Sequence, residues 1–186
     1  FGAIGKAGPQ DAEDWPVFRH DSERSGKAST RVPQELRQVW RTKLGGKLTA
    51  PVVSKGRVYI SETDVHTVHA LDAASGNAIW SYTANGRIDS PPTIHDSMVL
   101  FGSSDGWVYC LRETDGALVW RYRGAPEERA IVVRGQLESA WPIHGSVLVE
   151  NGAVIVSAGR SSSVDGGIFI TRLNCATGKV LTETVV

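Results

Sequence analysis

The sequence has no net charge to draw it to a charged partner: twenty Lys and Arg balance twenty Asp and Glu. That balance leaves no electrostatic footprint for nucleic acid or for an anionic membrane surface. No apolar run approaches the ~20 residues a spanning helix needs, so no helical membrane span is expected. Cysteine is scarce. Cys110 and Cys175 lie far apart with no paired motif, and they read as buried apolar fillers rather than a disulfide or metal pair. No HExxH, paired CxxC, P-loop or calcium loop is present, so no metal ligand and no catalytic residue is assigned. Apolar residues at helical spacing over three turns are also missing, which excludes a helical solenoid.

What is present is repetition. Val68 to Trp80 reads VHALDAASGNAIW, and Val108 to Trp120 returns as VYCLRETDGALVW. Each copy has period-two alternation, then a polar turn closed by a glycine, then a return strand carrying a tryptophan. A third copy, Ile170 to Thr182, keeps Leu173, Thr177 and Gly178 but has Thr182 in the tryptophan's place. Trp40, Trp80 and Trp120 fall at a 40-residue step, and Gly76 and Gly116 keep the same step. A period of about 40 to 45 residues is that of a four-stranded propeller blade. The sequence therefore predicts an all-β fold, a β-propeller of four-stranded antiparallel blades, with about three blades plus one closing strand present.

The expected organisation is an N-terminal arm or linker over 1–34 and a partial propeller over 35–186. Within the latter, 35–43 is a strand whose Trp40 is in phase with the outer-strand tryptophans, the blades span 49–82, 90–122 and 140–184, and 123–138 is an insertion. In the arm, Phe1 to Glu13 reads as a linker or frayed tail, and Trp15 and Phe18 are expected to pack onto the propeller. Three blades and one strand do not close a ring. The expectation is a fragment of a larger propeller, or a chain that associates with itself or with the remainder of a longer chain to complete one.

These residues resemble the quinoprotein-like β-propeller repeats, whose blades carry A-x-D-x-x-T-G-x-x-x-W. Ala70, Asp72, Ser75, Gly76 and Trp80 match with Ser for Thr, while the second copy keeps Gly116 and Trp120 but has Arg112 for Asp. DWPVFRHDSERSG and the segments around residues 89–123 and 138–167 are also similar to large bacterial propeller proteins with such repeats, where they sit within a longer chain. The family includes quinone-dependent dehydrogenases and a lipoprotein of the outer-membrane β-barrel assembly machinery. The resemblance implies a periplasmic or cell-envelope location and admits pyrroloquinoline quinone (PQQ) as a cofactor. Enzymes of the family carry an adjacent cysteine pair and a carboxylate base beside calcium. This sequence has no Cys-Cys and no assignable base.

The third blade departs from the period: Thr182 lies 62 residues after Trp120, 22 beyond the step. The excess falls in 123–138 and in Gly159 to Gly167, two connections at one end of an up-and-down blade. Both decorate one face, and loops on one face of a rigid scaffold are where binding sits. The candidates there are Arg129, Gln136 and Glu138 from the insertion, Arg160 and Asp165 from the second loop, and Asp64, Asp105 and Trp107 from the matching connections of the first two blades. The competing reading pairs Arg160 with Asp165 inside their own loop. Gly102 to Gly106 matches G-x-S-x-G but joins two strands, so it reads as a turn. His144 is expected in an inner strand as a structural histidine, and His66 and His69 on opposite faces of a strand. The leading function is a non-catalytic scaffold binding a protein, peptide or glycan. Part of a PQQ-dependent dehydrogenase and an accessory domain of a larger enzyme are the alternatives.

Overall fold

In the computed structural model, which describes residues 14–186, every regular element is a β-strand. β1 (Val52–Ser54), β2 (Arg57–Glu62), β3 (Thr67–Asp72) and β4 (Ala78–Thr83) form one antiparallel sheet in chain order. β5 (Thr93–His95), β6 (Met98–Gly102), β7 (Trp107–Arg112) and β8 (Leu118–Arg123) form the second. β9 (Ala130–Val133) and β10 (Gln136–Ser139) make a separate two-stranded hairpin. β11 (Leu148–Glu150), β12 (Ala153–Ala158), β13 (Phe169–Asn174) and β14 (Val180–Val185) form the third four-stranded sheet. The chain is thus a partial β-propeller. Its proposed tail, 1–13, lies outside the described residues.

Local chemistry sets each reversal. The β1–β2, β5–β6, β9–β10 and β11–β12 turns are two residues long with positive φ at both: Lys55–Gly56, Asp96–Ser97, Arg134–Gly135 and Asn151–Gly152. This conformation matches the right-handed twist of the strands it joins. The β3–β4 turns are wider. Asp72 in the first sheet and Asn174 in the third accept hydrogen bonds from the backbone and side chain of the residue three on, Ser75 and Thr177. Arg112 cannot do this. There Asp115 caps the Ala117 amide instead and is held by Arg112.

Tryptophan joins the sheets. Trp40, Trp80 and Trp120 each lie over the glycine of the next β3–β4-type turn, and their indole N–H donates to the carbonyl three residues before that glycine: Ala73, Glu113 and Cys175, at 2.8, 2.9 and 2.9 Å. A Cβ at Gly76, Gly116 or Gly178 would come within 2.5, 2.7 and 2.7 Å of the indole above it. The apolar core accordingly lies between sheets. One cluster joins Tyr59, Val68 and Trp80 to Phe101, Tyr109 and Leu111, and another joins Cys110 and Trp120 to Val154, Leu173 and Cys175. Both cysteines are free and buried, and burial pushes the Cys175 thiol up to about 11.

Residues 35–43 form no strand, contrary to expectation. Trp40 still docks in phase on Gly76, but the described residues contain no neighbouring strand to complete a ladder with this segment, and Leu36 and Val39 stay exposed. The third sheet likewise begins at Leu148 and not near residue 140, because 140–147 is spent on irregular chain. The arm crosses the inner strands. Trp15 exchanges both backbone hydrogen bonds with Val53, Pro16 accepts from the Ile94 amide, and Arg24 reaches the Ser146 carbonyl. Phe18 does not pack inward; it remains exposed beside the Arg24 guanidinium.

The docking geometry can be weighed against backbone strain alone. Gly116 and Gly152 both have φ of 71°, but nothing lies within 4 Å of a Cβ at Gly152. Gly152→Ala should cost about 1–2 kcal/mol, the left-handed penalty. Gly116→Ala should cost about 2–4 kcal/mol, since the Trp80 ring must also give way. Equal losses in urea unfolding would show that the indole does not bear on this glycine.

Candidate functional site

In each four-stranded sheet the β2–β3-type turn and the connection leaving the outer strand emerge at the same end. Residues 63–66, 84–92, 103–106, 124–147 and 159–168 therefore meet on one face. A chain of charges ties four of these segments together. Arg160 Nη2 donates to Glu138 Oε2 at 2.7 Å and to the Ser139 carbonyl at 3.2 Å. Glu138 Oε1 lies 3.3 Å from Arg87 Nη1. Arg87 Nη2 donates to both oxygens of Asp89, at 2.9 and 3.0 Å. Asp89 Oδ2 also accepts from Ser104 Oγ at 3.0 Å and meets His144 Nδ1 at 2.8 Å.

The chain is buried at its centre: the Glu138 side chain is 0% exposed and that of Arg87 7%. Such burial is tolerable only because each charge faces its opposite. Burial by itself would raise the Asp89 carboxyl, but hydrogen bonds from His144 and Arg87 and the Arg87 charge outweigh it and hold the group well below the usual carboxylate range. Burial would likewise lower Arg87, and Asp89 with Glu138 more than offsets it.

Serine, histidine and aspartate are thus brought together, yet not as a nucleophilic triad. In a triad the acid holds one ring nitrogen and the nucleophile uses the other. Here Asp89 and Ser104 both approach Nδ1, Ser104 at 3.5 Å, and the Ser104 hydroxyl is committed to Asp89. Ser104 is also fully buried. Among the described residues, no group of three or more metal-ligating side chains occurs.

A second set of contacts fixes the β9–β10 hairpin. Arg129 pairs with Asp165 and lies over the Trp141 ring, whose N–H donates to the Asp165 carbonyl at 2.7 Å. Gln136, beside the hairpin tip, reaches the first sheet, where it meets His66 Nε2 at 3.0 Å and the Asp64 carbonyl at 3.3 Å. The hairpin so held turns an apolar pair outward. Val132 and Leu137 stand opposite each other across the strands and are 73% and 68% exposed.

The structure brings Glu138 and Arg160 into the charge chain and joins Arg129 to Asp165. Asp64 and Gln136 meet through backbone and side chain. Asp105 accepts from Tyr109 O–H at 2.5 Å and from the Trp107 amide, and Trp107 carries the Arg121 guanidinium 4.4 Å over its ring. Arg160 and Asp165 do not pair within their loop. Each reaches the other insertion instead, because the hairpin stands between them with partners of opposite charge. His144 is not in a strand, since the inner strand starts four residues later. His66 sits in a turn, while His69, in β3, meets Glu62 at 3.3 Å. Arg87 and Asp89 escaped the sequence reading, and Ser104 entered it only as part of the Gly102 to Gly106 turn. The available signal was two opposite charges flanking Ile88 just before Pro91–Pro92, a spacing that sets both on one side of an extended chain.

PQQ carries three carboxylates and calls for uncompensated cations. The buried guanidiniums of this face already hold carboxylates, and the two cysteines lie in the core between sheets. Among the described residues, the buried guanidiniums Arg87 and Arg160 are thus already compensated.

Comparison with known proteins places these features in context. The family model described as outer membrane protein assembly factor BamB matches residues 33–186. BamB of Yersinia pestis is 29% identical over 180 residues, covering 85% of this chain and 44% of the relative. The dehydrogenase subunit of alcohol dehydrogenase (quinone) from Komagataeibacter europaeus is 28% identical over 146 residues, covering 73% of this chain and 19% of the relative. Quinohemoprotein alcohol dehydrogenase from Comamonas testosteroni superposes with a TM-score of 0.71 at 23% identity, covering 92% of this chain and 27% of that structure. This last likeness shows the fold alone. The chain spans less than half the length of these relatives.

Two substitutions separate the roles in the charge chain. Glu138→Gln leaves Arg87 and Arg160 without their shared anion and should destabilise the fold by about 3–5 kcal/mol. Asp89 has a depressed folded-state pKa, so its contribution is present above the unfolded value of about 3.9 and is lost as pH falls through the lower folded value. Asp89→Asn should therefore be less stable at neutral pH and lose less stability between about pH 5 and pH 2. Parallel acid limbs in urea unfolding would contradict this.

Proposed function

The chain belongs to the family described as outer membrane protein assembly factor BamB, and on that footing we propose that it is a non-catalytic propeller scaffold of the bacterial cell envelope whose decorated face docks a protein. The observation that carries the reading is the state of that face. Its buried charges are spent on one another and position a hairpin, and what the hairpin offers outward is the apolar pair Val132 and Leu137. A platform whose buried charges are paired and which exposes apolar side chains suits protein docking better than small-molecule chemistry. A peptide segment of such a protein would serve equally. A glycan finds less support, because the indoles of this face, Trp107 and Trp141, already carry guanidiniums. Further blades, from the remainder of a longer chain or from a second copy, would complete the sheet to which 35–43 contributes its Trp40.

A second reading is favoured by the similarity to quinone-dependent alcohol dehydrogenases: the chain would be part of such an enzyme. The neutralised guanidiniums speak against it. Calorimetric titration of PQQ into the intact protein, with and without calcium, separates the two. The scaffold reading expects no saturable heat, and a photo-cross-linker at Val132 that captures a protein in envelope preparations while one at Val180 on the outer strand does not. Saturable quinone binding lost in Arg160→Ala would establish the enzyme reading instead.

A further inference from the structure

Each inner strand carries one equivalent residue two positions before its turn: Val53 in β1, Ile94 in β5 and Val149 in β11. The residue beside a two-residue turn exchanges hydrogen bonds with its cross-strand partner, so the one before it aims its N–H and C=O out of the free edge of the sheet. The arm answers the first two of these edges. Trp15 exchanges both bonds with Val53, at 2.8 and 2.9 Å, and the Pro16 carbonyl takes the Ile94 N–H at 2.8 Å. The arm then turns back over Val17 to His20, and Arg24 donates to the Ser146 carbonyl just before the third strand. Neither backbone group of Val149 has a hydrogen bond among the described residues. A cleft of ≈ 480 Å³ lies where the arm leaves off, walled by Val17 and Phe18 of the arm, Ile94 of β5, and Val147 and Val149.

An edge residue with both backbone groups on offer, equivalent to one where this same chain adds an extended segment, is a template for another. We propose that the free edge of β11 binds an extended peptide segment of a partner protein in this cleft, added as Trp15 is added to β1. The arm of a second copy does not supply it, because that arm is committed to its own β1 and β5. Two requirements fall on the residue facing Val149. It is not proline, since it must donate its own N–H to the Val149 carbonyl; Pro16, which cannot donate, leaves the Ile94 carbonyl unanswered. It is also apolar. Residues paired across such a bridge share a face, and Val149 packs against the core between the second and third sheets. The two neighbours of that residue point the other way, so their identity matters less. This edge is a surface separate from Val132 and Leu137 and does not rest on the docking reading above.

The test titrates acetyl-Ser-Thr-Leu-Thr-Ser-amide into the intact isotope-labelled protein and follows amide hydrogen exchange by NMR. The Val149 amide should gain protection saturably, while those of Val53 and Ile94 keep the protection the arm gives them. Methylating the peptide nitrogen of the leucine removes the N–H that faces Val149 and should weaken binding about ten-fold. Methylating the nitrogen of the threonine that follows, whose N–H points away from β11, should change it less than about two-fold. Val149→Pro removes an N–H that takes no part in the sheet and should likewise weaken the unmodified peptide about ten-fold. Should that variant fail to fold, the pair of methylated peptides on the unaltered protein decides alone. No protection at Val149 with about 1 mM peptide, or equal effects of the two methyl groups, would overturn the proposal. Protection lost at Val53 or Ile94 would overturn it too, since the peptide would then have displaced the arm, as would a dimer of the free protein that the peptide dissociates, which gives the edge to a second copy. None of these outcomes bears on docking at Val132.

Discussion

The indole of one blade lying on the glycine of the next is the contact on which the rest of this protein depends. A four-stranded sheet of these lengths cannot bury both faces by itself, and each sheet here is stable because a tryptophan fixes its distance and angle to its neighbour. The indole N–H supplies direction. By donating to the carbonyl three residues before the glycine, it sets the rotation of one sheet on another as well as their separation. Only glycine admits that approach, and the positive φ of the turn asks for the same residue, so two constraints fall on one position.

Because the sheets are locked in this way, the connections at one end are carried to fixed places. The two enlarged connections can then be used as structure. One folds into a hairpin. The other supplies Arg160 and Asp165 to hold that hairpin from the far side. The buried chain from Arg160 through Glu138 and Arg87 to Asp89 adds little net stability over an apolar packing of the same volume, but it admits only one arrangement of the segments it joins. The face therefore has its buried charges paired and is apolar at its projecting strand, a combination that supports the proposed docking role.

The gathering of serine, histidine and aspartate on that face shows why residue types alone do not make a mechanism. Gly102 to Gly106 has the letters of a nucleophile elbow, and His144 does come close to Ser104. What decides against attack is which atoms meet. Acid and hydroxyl compete for one ring nitrogen, and the hydroxyl is turned to the acid. In this setting the three side chains join the 84–92, 103–106 and 124–147 segments and position them.

Much of the architecture was legible in the letters because it is periodic. Trp40, Trp80 and Trp120, with Gly76, Gly116 and Gly178, state the blade, its repeat and its phase, since each blade solves the same packing problem with the same residues. The two enlarged loops could be assigned to one face from topology alone. The sequence could not say that 123–138 would fold as a hairpin reaching back to His66, that Arg160 would choose Glu138 over Asp165, or that Arg87 and Asp89 would join them. Those choices are made between segments tens of residues apart, where burial and the presence of an opposite charge decide the partner and no local pattern records it. The missing strand at 35–43 teaches the same lesson: Trp40 keeps its place through a contact with the next blade, whereas a strand exists only where another strand lies beside it to take its hydrogen bonds.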